Sequence, residues 1–295
     1  MATEPKHAVS RTIDRSFVSS SGLRLAARVY LPAPERDIKT GIVFCHGFGG
    51  VKEGTPLGLC DKLALAGYTA LSFDYRGFGE SEGPRGHLVP QEQTEDAIRA
   101  VEFLSKDFGV DPDRLGVYGT SFGGGIALMA AAEMPKIKAA FVTVPVVSGN
   151  QWLRAVCRYY EYIDLKERAH TALLEKEQNG HMTMVDRFDL VPPDPKSRDR
   201  HVTAQQFSLE TFIHVVNHDP LAVAGKIKIP VGVIGIKGDM LVPHEQTEWL
   251  YEKLAGPKKI FFFQHGYHHS VYGDLLEPVA EQAIAWFNRH LVDCK

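Results

Sequence analysis

Residues 115–128, Leu-Gly-Val-Tyr-Gly-Thr-Ser-Phe-Gly-Gly-Gly-Ile-Ala-Leu, constrain the chain more than any other stretch. They begin as a short apolar strand, pass through Gly-Thr-Ser-Phe-Gly, and continue as an Ala-, Leu- and Met-rich helix. A strand that turns at once into a helix forces its corner residue into strained backbone geometry. Gly119 and Gly123 remove the side chains that would collide across such a corner. Ser121 is then left projecting at the N-terminus of the new helix, where the N–H of Phe122 has no intrahelical partner. That N–H can face a developing oxyanion, and Ser121 becomes a candidate nucleophile. The pentapeptide alone also fits a plain corner with a surface serine. The order strand, corner, helix favours the nucleophile.

The rest of the chain has the same rhythm. Arg15 to Tyr30 reads as an antiparallel hairpin with a Ser-Ser-Ser-Gly turn, after a loose arm over residues 1–12. Gly41-Ile-Val-Phe-Cys is a continuous apolar run, the pattern of a strand buried on both faces, and it leads directly into His46-Gly-Phe-Gly-Gly. A helix over Thr55–Ala66, a strand from Thr69 and a helix over Gln91–Phe108 precede the Ser121 corner, and a strand over Ala139–Val144 follows its helix. Strands alternating with helices predict an α/β fold with a mostly parallel sheet covered by helices.

That rhythm breaks between Pro145 and His218. Gln151–Leu165 has amphipathic spacing, Leu165–Gln178 is charged and helical, His181–His201 is irregular, and Thr203 is placed to cap a helix through Val216. Alternation resumes after Pro220. The expected organisation is a core of residues 1–144 and 219–295, with 145–218 inserted after the sixth strand as a helical lid. Within that lid Trp152, Tyr159 and Tyr160 recur at helical spacing and are the candidates for facing substrate.

Composition excludes several classes. The net charge of −3 over 295 residues gives no electrostatic footprint for nucleic acid or an anionic membrane. No apolar run is long enough to span a bilayer. Met-Ala-Thr-Glu-Pro-Lys-His lacks the apolar core of a signal peptide. Cys45, Cys60, Cys157 and Cys294 show no C-x-x-C spacing and read as reduced thiols, so a cytoplasmic protein is expected.

A serine hydroxyl needs a base within hydrogen-bond reach, itself oriented by a third group. In open α/β sheets such groups gather beyond the carboxyl ends of strands. Asp239 follows the apolar strand Val231–Ile236, and His268 and His269 follow Ile260-Phe-Phe-Phe, in the order serine, acid, histidine. Plainer roles exist for each: Asp239 as an exposed loop acid, His265, His268 and His269 as metal ligands, Gly123-Gly124-Gly125 as a phosphate loop. The histidines have no carboxylate at ligand-like spacing, and the glycines lack a P-loop lysine, so no metal or cofactor is expected. His46 reads as structural, and Asp74 with Arg76 as a loop-stabilising pair.

His46-Gly-Phe-Gly-Gly-Val-Lys-Glu, Phe73-Asp-Tyr-Arg-Gly-Phe-Gly-Glu-Ser, Gly119-Thr-Ser-Phe-Gly-Gly, Gly238-Asp239 and the terminal His pair together resemble the α/β-hydrolase superfamily, from about Arg15 to Leu291. The resemblance is to a branch holding dienelactone-hydrolase-like esterases, acyl-peptidase-like members and fungal polyketide acyltransferases. It implies Ser121 as nucleophile, Asp239 as orienting acid, His269 as base, and the N–H groups of Phe48 and Phe122 as oxyanion donors. His269 rests on a Gly-x-x-His spacing from Gly266 and an acid five residues on, Asp274; Tyr272 falls one residue closer to His269 than in many relatives, which speaks for His268. The reaction implied is hydrolysis of an ester or thioester of a medium-sized apolar acyl substrate through an acyl-enzyme. Acyl transfer and C–C bond hydrolysis use the same residues, and a receptor on the same scaffold would not need all three. No cofactor, nucleic acid or membrane partner is expected, and a homodimer is left open.

Overall fold

A computed structural model describes residues 11–54, 57–194 and 204–293. The start of the N-terminal arm, the Thr203 cap and Cys294 lie outside the described residues. The hairpin forms from Arg11–Val18 (β1) and Arg24–Leu31 (β2), paired antiparallel from Arg11 opposite Leu31 to Val18 opposite Arg24. Then come Gly41–Cys45 (β3), helix Leu57–Leu65 (α1), Thr69–Phe73 (β4), helix Pro90–Asp107 (α2), Leu115–Thr120 (β5), helix Phe122–Glu133 (α3) and Ile137–Thr143 (β6).

The chain next leaves the sheet. It forms helices Gly149–Val156 (α4) and Tyr159–Asn179 (α5), a short strand Met184–Asp186 (β7), one helical turn Arg187–Leu190 (α6), a second short strand Gln206–Ser208 (β8), and helices Thr211–Val216 (α7) and Leu221–Ala224 (α8). It returns as Val231–Ile236 (β9), helix Glu245–Lys253 (α9), Lys258–Phe263 (β10) and helix Leu276–Phe287 (α10). The main sheet has eight strands in the order β1-β2-β4-β3-β5-β6-β9-β10, and all are parallel from β4 onward.

The apolar runs explain this order. Every residue of β3, β4, β5 and β9 is buried, so these strands carry side chains into helical layers on both faces of the sheet. Alternation along β3 sends Val43 and Cys45 into one core, with Ile126 and Val101, and Ile42 and Phe44 into the other, with Tyr118 and Phe287. β1 at one edge is mostly exposed on both faces.

Because β6 pairs with β9 (Ala140 opposite Val231), everything between them is inserted at one point of the sheet. The insertion differs from expectation in three ways. The helix expected from Thr203 through Val216 gives way to β8 and begins only at Thr211. The stretch read as irregular contains β7, which pairs antiparallel with β8 (Met184 opposite Ser208), and α6. The single helix expected over Gln151–Leu165 is broken at Cys157-Arg158, where Arg158 takes an extended conformation and its N–H donates to Glu161 Oε2 at 3.1 Å, starting α5 afresh. Gly180, left-handed at φ 75°, ends α5. Among the described residues no helix is long and apolar enough to cross a membrane.

Candidate active site

Ser121 is the corner between β5 and α3, with φ 54° and ψ −127°. A non-glycine residue held there costs about 1–3 kcal/mol and persists only when its surroundings over-determine it. They do so here. Its N–H donates to Thr143 O at 2.9 Å, and its carbonyl accepts from the N–H of Gly124 at 2.9 Å and Val146 at 3.0 Å. A Cβ on Gly123 would lie 2.2 Å from Cys45 O, and one on Gly119 would lie 2.4 Å from Gly123 O, so only glycine closes the corner this tightly.

Asp239 stands in the loop after β9. Its Oδ1 accepts from the N–H of Leu241 (2.8 Å) and Val242 (2.9 Å), which leaves Oδ2 aimed at His268 Nδ1, 2.7 Å away. The Nε2 of the same ring lies 2.9 Å from Ser121 Oγ. With the proton on Nδ1, donated to the carboxylate, Nε2 is an acceptor for the Ser121 hydroxyl. Serine, imidazole and carboxylate thus form one hydrogen-bonded line. Both the His268 and Asp239 side chains are almost wholly buried.

The expectation for His269 is therefore corrected: the ring between Asp239 and Ser121 belongs to His268. A 3₁₀ turn begins at His268 and turns successive side chains apart, so the two imidazole planes stand at 90°. His269 faces another carboxylate, its Nδ1 3.8 Å from Asp194 Oδ2. The sequence held one signal for this. The Tyr272 hydroxyl pairs with Thr120 Oγ1 at 2.6 Å, next to Ser121, and this tie fixes which ring of the turn meets Ser121. Burial pushes the Tyr272 phenol well above its ordinary pKa, so it stays neutral.

The loop after β3 carries the second candidate oxyanion donor. His46 is buried, its Nε2 2.9 Å from Phe73 O, and desolvation lowers its pKa, keeping the ring neutral. Asp74 also holds this loop, accepting from the N–H of Lys52 (2.7 Å) and of Glu80 (2.9 Å). The expected Asp74–Arg76 pair does not form. Arg76 turns to Asp96 on α2, with Nη2 2.7 Å from Oδ1. Among the described residues no acceptor takes the N–H of Phe48 or of Phe122.

Ser121 opens on a pocket of about 440 Å³, part of it continuous with solvent, lined also by Phe48, Trp152, Arg187, Leu241 and His268. Trp152 is buried. Its Nε1–H donates to Leu241 O at 2.9 Å, and its ring packs against Phe48 and Phe122. Tyr159 and Tyr160 are corrected: they are 72% and 62% exposed and do not line the pocket. The helix break at Cys157-Arg158 is the reason, since it uncouples their face from that of Trp152. Sequence reasoning missed Arg187, which sits in a stretch of mixed charge without periodicity. Among the described residues no group of three His, Cys, Asp or Glu could hold a metal ion.

The family described as serine aminopeptidase, S33, matches residues 36–275. The chain belongs to that family. This S33 chain is 31% identical over 283 residues to a 31.7 kDa protein in the traX-finO intergenic region of Escherichia coli, covering 92% of this chain and 97% of that one. It is 26% identical to the thiohydrolase aneE of Aspergillus aculeatus, covering 91% of this chain and 90% of the relative. The polyketide transferase grgF of Penicillium sp is 23% identical over 94% of this chain and 96% of its own. The crystal structure of the alpha/beta hydrolase GrgF superposes with a TM-score of 0.81 at 21% identity, over 95% of this chain and 99% of that one. The S33 chain has the α/β-hydrolase fold and is an enzyme of the hydrolase class.

Proposed function

We propose that this S33 enzyme hydrolyses an ester or thioester of a medium-sized, largely apolar acyl group through an acyl-enzyme on Ser121. The observation that carries the reading is the unbroken line from Asp239 through His268 to Ser121. Ser121 Oγ attacks the acyl carbon while His268 Nε2 takes its proton. The oxygen of the tetrahedral intermediate lies between the N–H groups of Phe48 and Phe122. Collapse expels the alcohol or thiol, which receives the proton from His268. Water, deprotonated by the same nitrogen, then releases the acid and restores the serine. Asp239, fixed by two backbone N–H groups, keeps the imidazole in its working tautomer and offsets its charge.

The apolar walls from Phe48, Trp152 and Leu241 suit an acyl chain, and kinship with a thiohydrolase supports including thioesters. Kinship with a polyketide transferase supports a second reading, in which an alcohol or amine replaces water at the acyl-enzyme. A fluorophosphonate probe tests the shared chemistry. Stoichiometric labelling of wild type that vanishes in Ser121→Ala is expected; labelling that survives the substitution rules the nucleophile out. Product analysis with and without an added alcohol separates hydrolysis from transfer.

A further inference from the structure

The active-site pocket contains one charge that the proposed reaction does not use. Arg187, on α6, donates from Nη1 to Phe48 O at 3.1 Å, and its guanidinium lies over the Phe48 ring, 5.7 Å from its centroid. Among the described residues no carboxylate lies within ion-pairing distance of it, and no other acceptor takes its side-chain donors. Among the described residues lining the pocket there is no aspartate or glutamate, and Arg187 is the one permanently charged side chain. Nearby Tyr272 is a neutral phenol with its hydroxyl engaged by Thr120. Asp186 turns its carboxylate to the N–H of Phe188, at 2.8 Å. Partial desolvation lowers the Arg187 pKa to about 10, which leaves it fully charged at neutral pH.

A guanidinium taken from water without a counter-ion is costly unless something of opposite charge joins it. Its planar fork matches a carboxylate or a phosphate in two-point hydrogen bonding. Resting on the proposed acyl chemistry at Ser121, we infer that Arg187 is an anion subsite of the active-site pocket: the substrate carries an oxyanion group that this guanidinium binds. The group has two sources, a carboxylate on the acyl chain or a phosphate on the leaving thiol. The clamp on Phe48 O is part of the same arrangement, since it fixes the guanidinium beside the loop that supplies an oxyanion donor.

Two matched pairs of substrates test this. The first is p-nitrophenyl hemiadipate against p-nitrophenyl heptanoate, and the second butyryl-coenzyme A against the butyryl thioester of N-acetylcysteamine. Wild type is expected to favour the anionic member of one pair in kcat/KM. Arg187→Gln should lower that anionic-to-neutral ratio on the order of 10- to 100-fold, as expected for loss of a charge-assisted contact. Arg187→Lys should restore part of it. A shift confined to the first pair assigns a carboxylate on the acyl chain; one confined to the second assigns a phosphate on the leaving group. Wild-type ratios at or below one in both pairs overturn the inference, and need no variant to fold. A variant that loses the same factor on all four substrates also overturns it, because Arg187 then only braces the Phe48 loop. In either case, turnover of the neutral substrates with fluorophosphonate labelling of Ser121 leaves the acyl-enzyme chemistry standing.

Discussion

On the sheet side of the pocket Ser121 is held by three hydrogen bonds of its own main chain, the Asp239 carboxylate by two backbone N–H groups, and His268 by that carboxylate. On the insertion side the side chains of Trp152 and Arg187 each make one hydrogen bond, to a main-chain carbonyl, and aromatic packing does the rest. Directional bonds to strand ends hold atoms to a fraction of an ångström, which proton transfer requires. Packing fixes volume and polarity less exactly, and it tolerates exchange of side chains. Under the proposed function, the sheet side carries the chemistry and the insertion selects among substrates.

The largest effect should come from breaking the hydrogen-bonded line. His268→Ala is expected to lower kcat on an activated ester by on the order of 10⁴-fold or more, as Ser121→Ala should. His269→Ala should cost about tenfold or less, since its ring meets Asp194 rather than Ser121. Steady-state kinetics on the two single variants checks this; the reverse order would return the base to His269. Next comes Asp239→Asn. The amide keeps the shape but can present its NH₂ to Nδ1, which favours the wrong tautomer, and a loss of about 10³- to 10⁴-fold in kcat is expected. Circular dichroism of the variant should match wild type.

These residues also mark how far the sequence could be read. The positions of Ser121 and Asp239 were legible because a strand end dictates them: an apolar run, a turn residue, and the side chain is placed beyond the sheet. The choice between His268 and His269 was not, because in a 3₁₀ turn a shift of one residue redirects the ring, and backbone pattern does not encode that shift. The spacing of Tyr272 speaks for His268, and its tie to Thr120 is the physical reason, whereas the spacing counted from Gly266 speaks for His269. Arg187 left no signal, since its place depends on the β7–β8 pairing that brings distant segments together.

On the insertion side the largest effect should fall on folding rather than turnover. Trp152→Ala removes a buried indole packed on Phe48 and Phe122 and leaves Leu241 O without its donor. A loss of about 3–5 kcal/mol in stability is expected, read from urea denaturation, with altered acyl-length preference in whatever remains active. No change in either would remove Trp152 from the pocket wall.

A smaller effect comes from pH. His218 is buried against Phe122, and desolvation lowers its pKa to about 3, from an unfolded value near 6.5. The unfolded chain therefore binds a proton between these values that the folded chain does not. Stability is full above pH 6.5 and falls as pH drops toward 3. At pH 5 this one histidine should cost about 2 kcal/mol. His218→Phe, which keeps an aromatic ring and removes the titration, should flatten the fall in Tm between pH 7 and 5; an unchanged slope assigns the pH dependence to other groups.

The smallest effect is the one that most sharpens the contrast within the insertion itself. Tyr159 and Tyr160 stand only seven and eight residues from Trp152, and an unbroken helix would have put Tyr159 on the same face two turns away. The restart of the helix at Arg158 turns both into solvent, where the Tyr160 hydroxyl accepts from Arg158 Nη1 at 3.0 Å. Exposed side chains outside buried networks change stability by about 0.5 kcal/mol or less when replaced, and the cap of α5 uses the Arg158 N–H and Glu161, not the tyrosine rings. Tyr159→Ala and Tyr160→Ala should stay within that range and within about twofold of wild type on short and long acyl esters alike. A selective loss on long esters would mean that the insertion closes over substrate in a second arrangement, with α5 swung toward the pocket. The division between a packed wall and a solvated face would then hold only for the free enzyme.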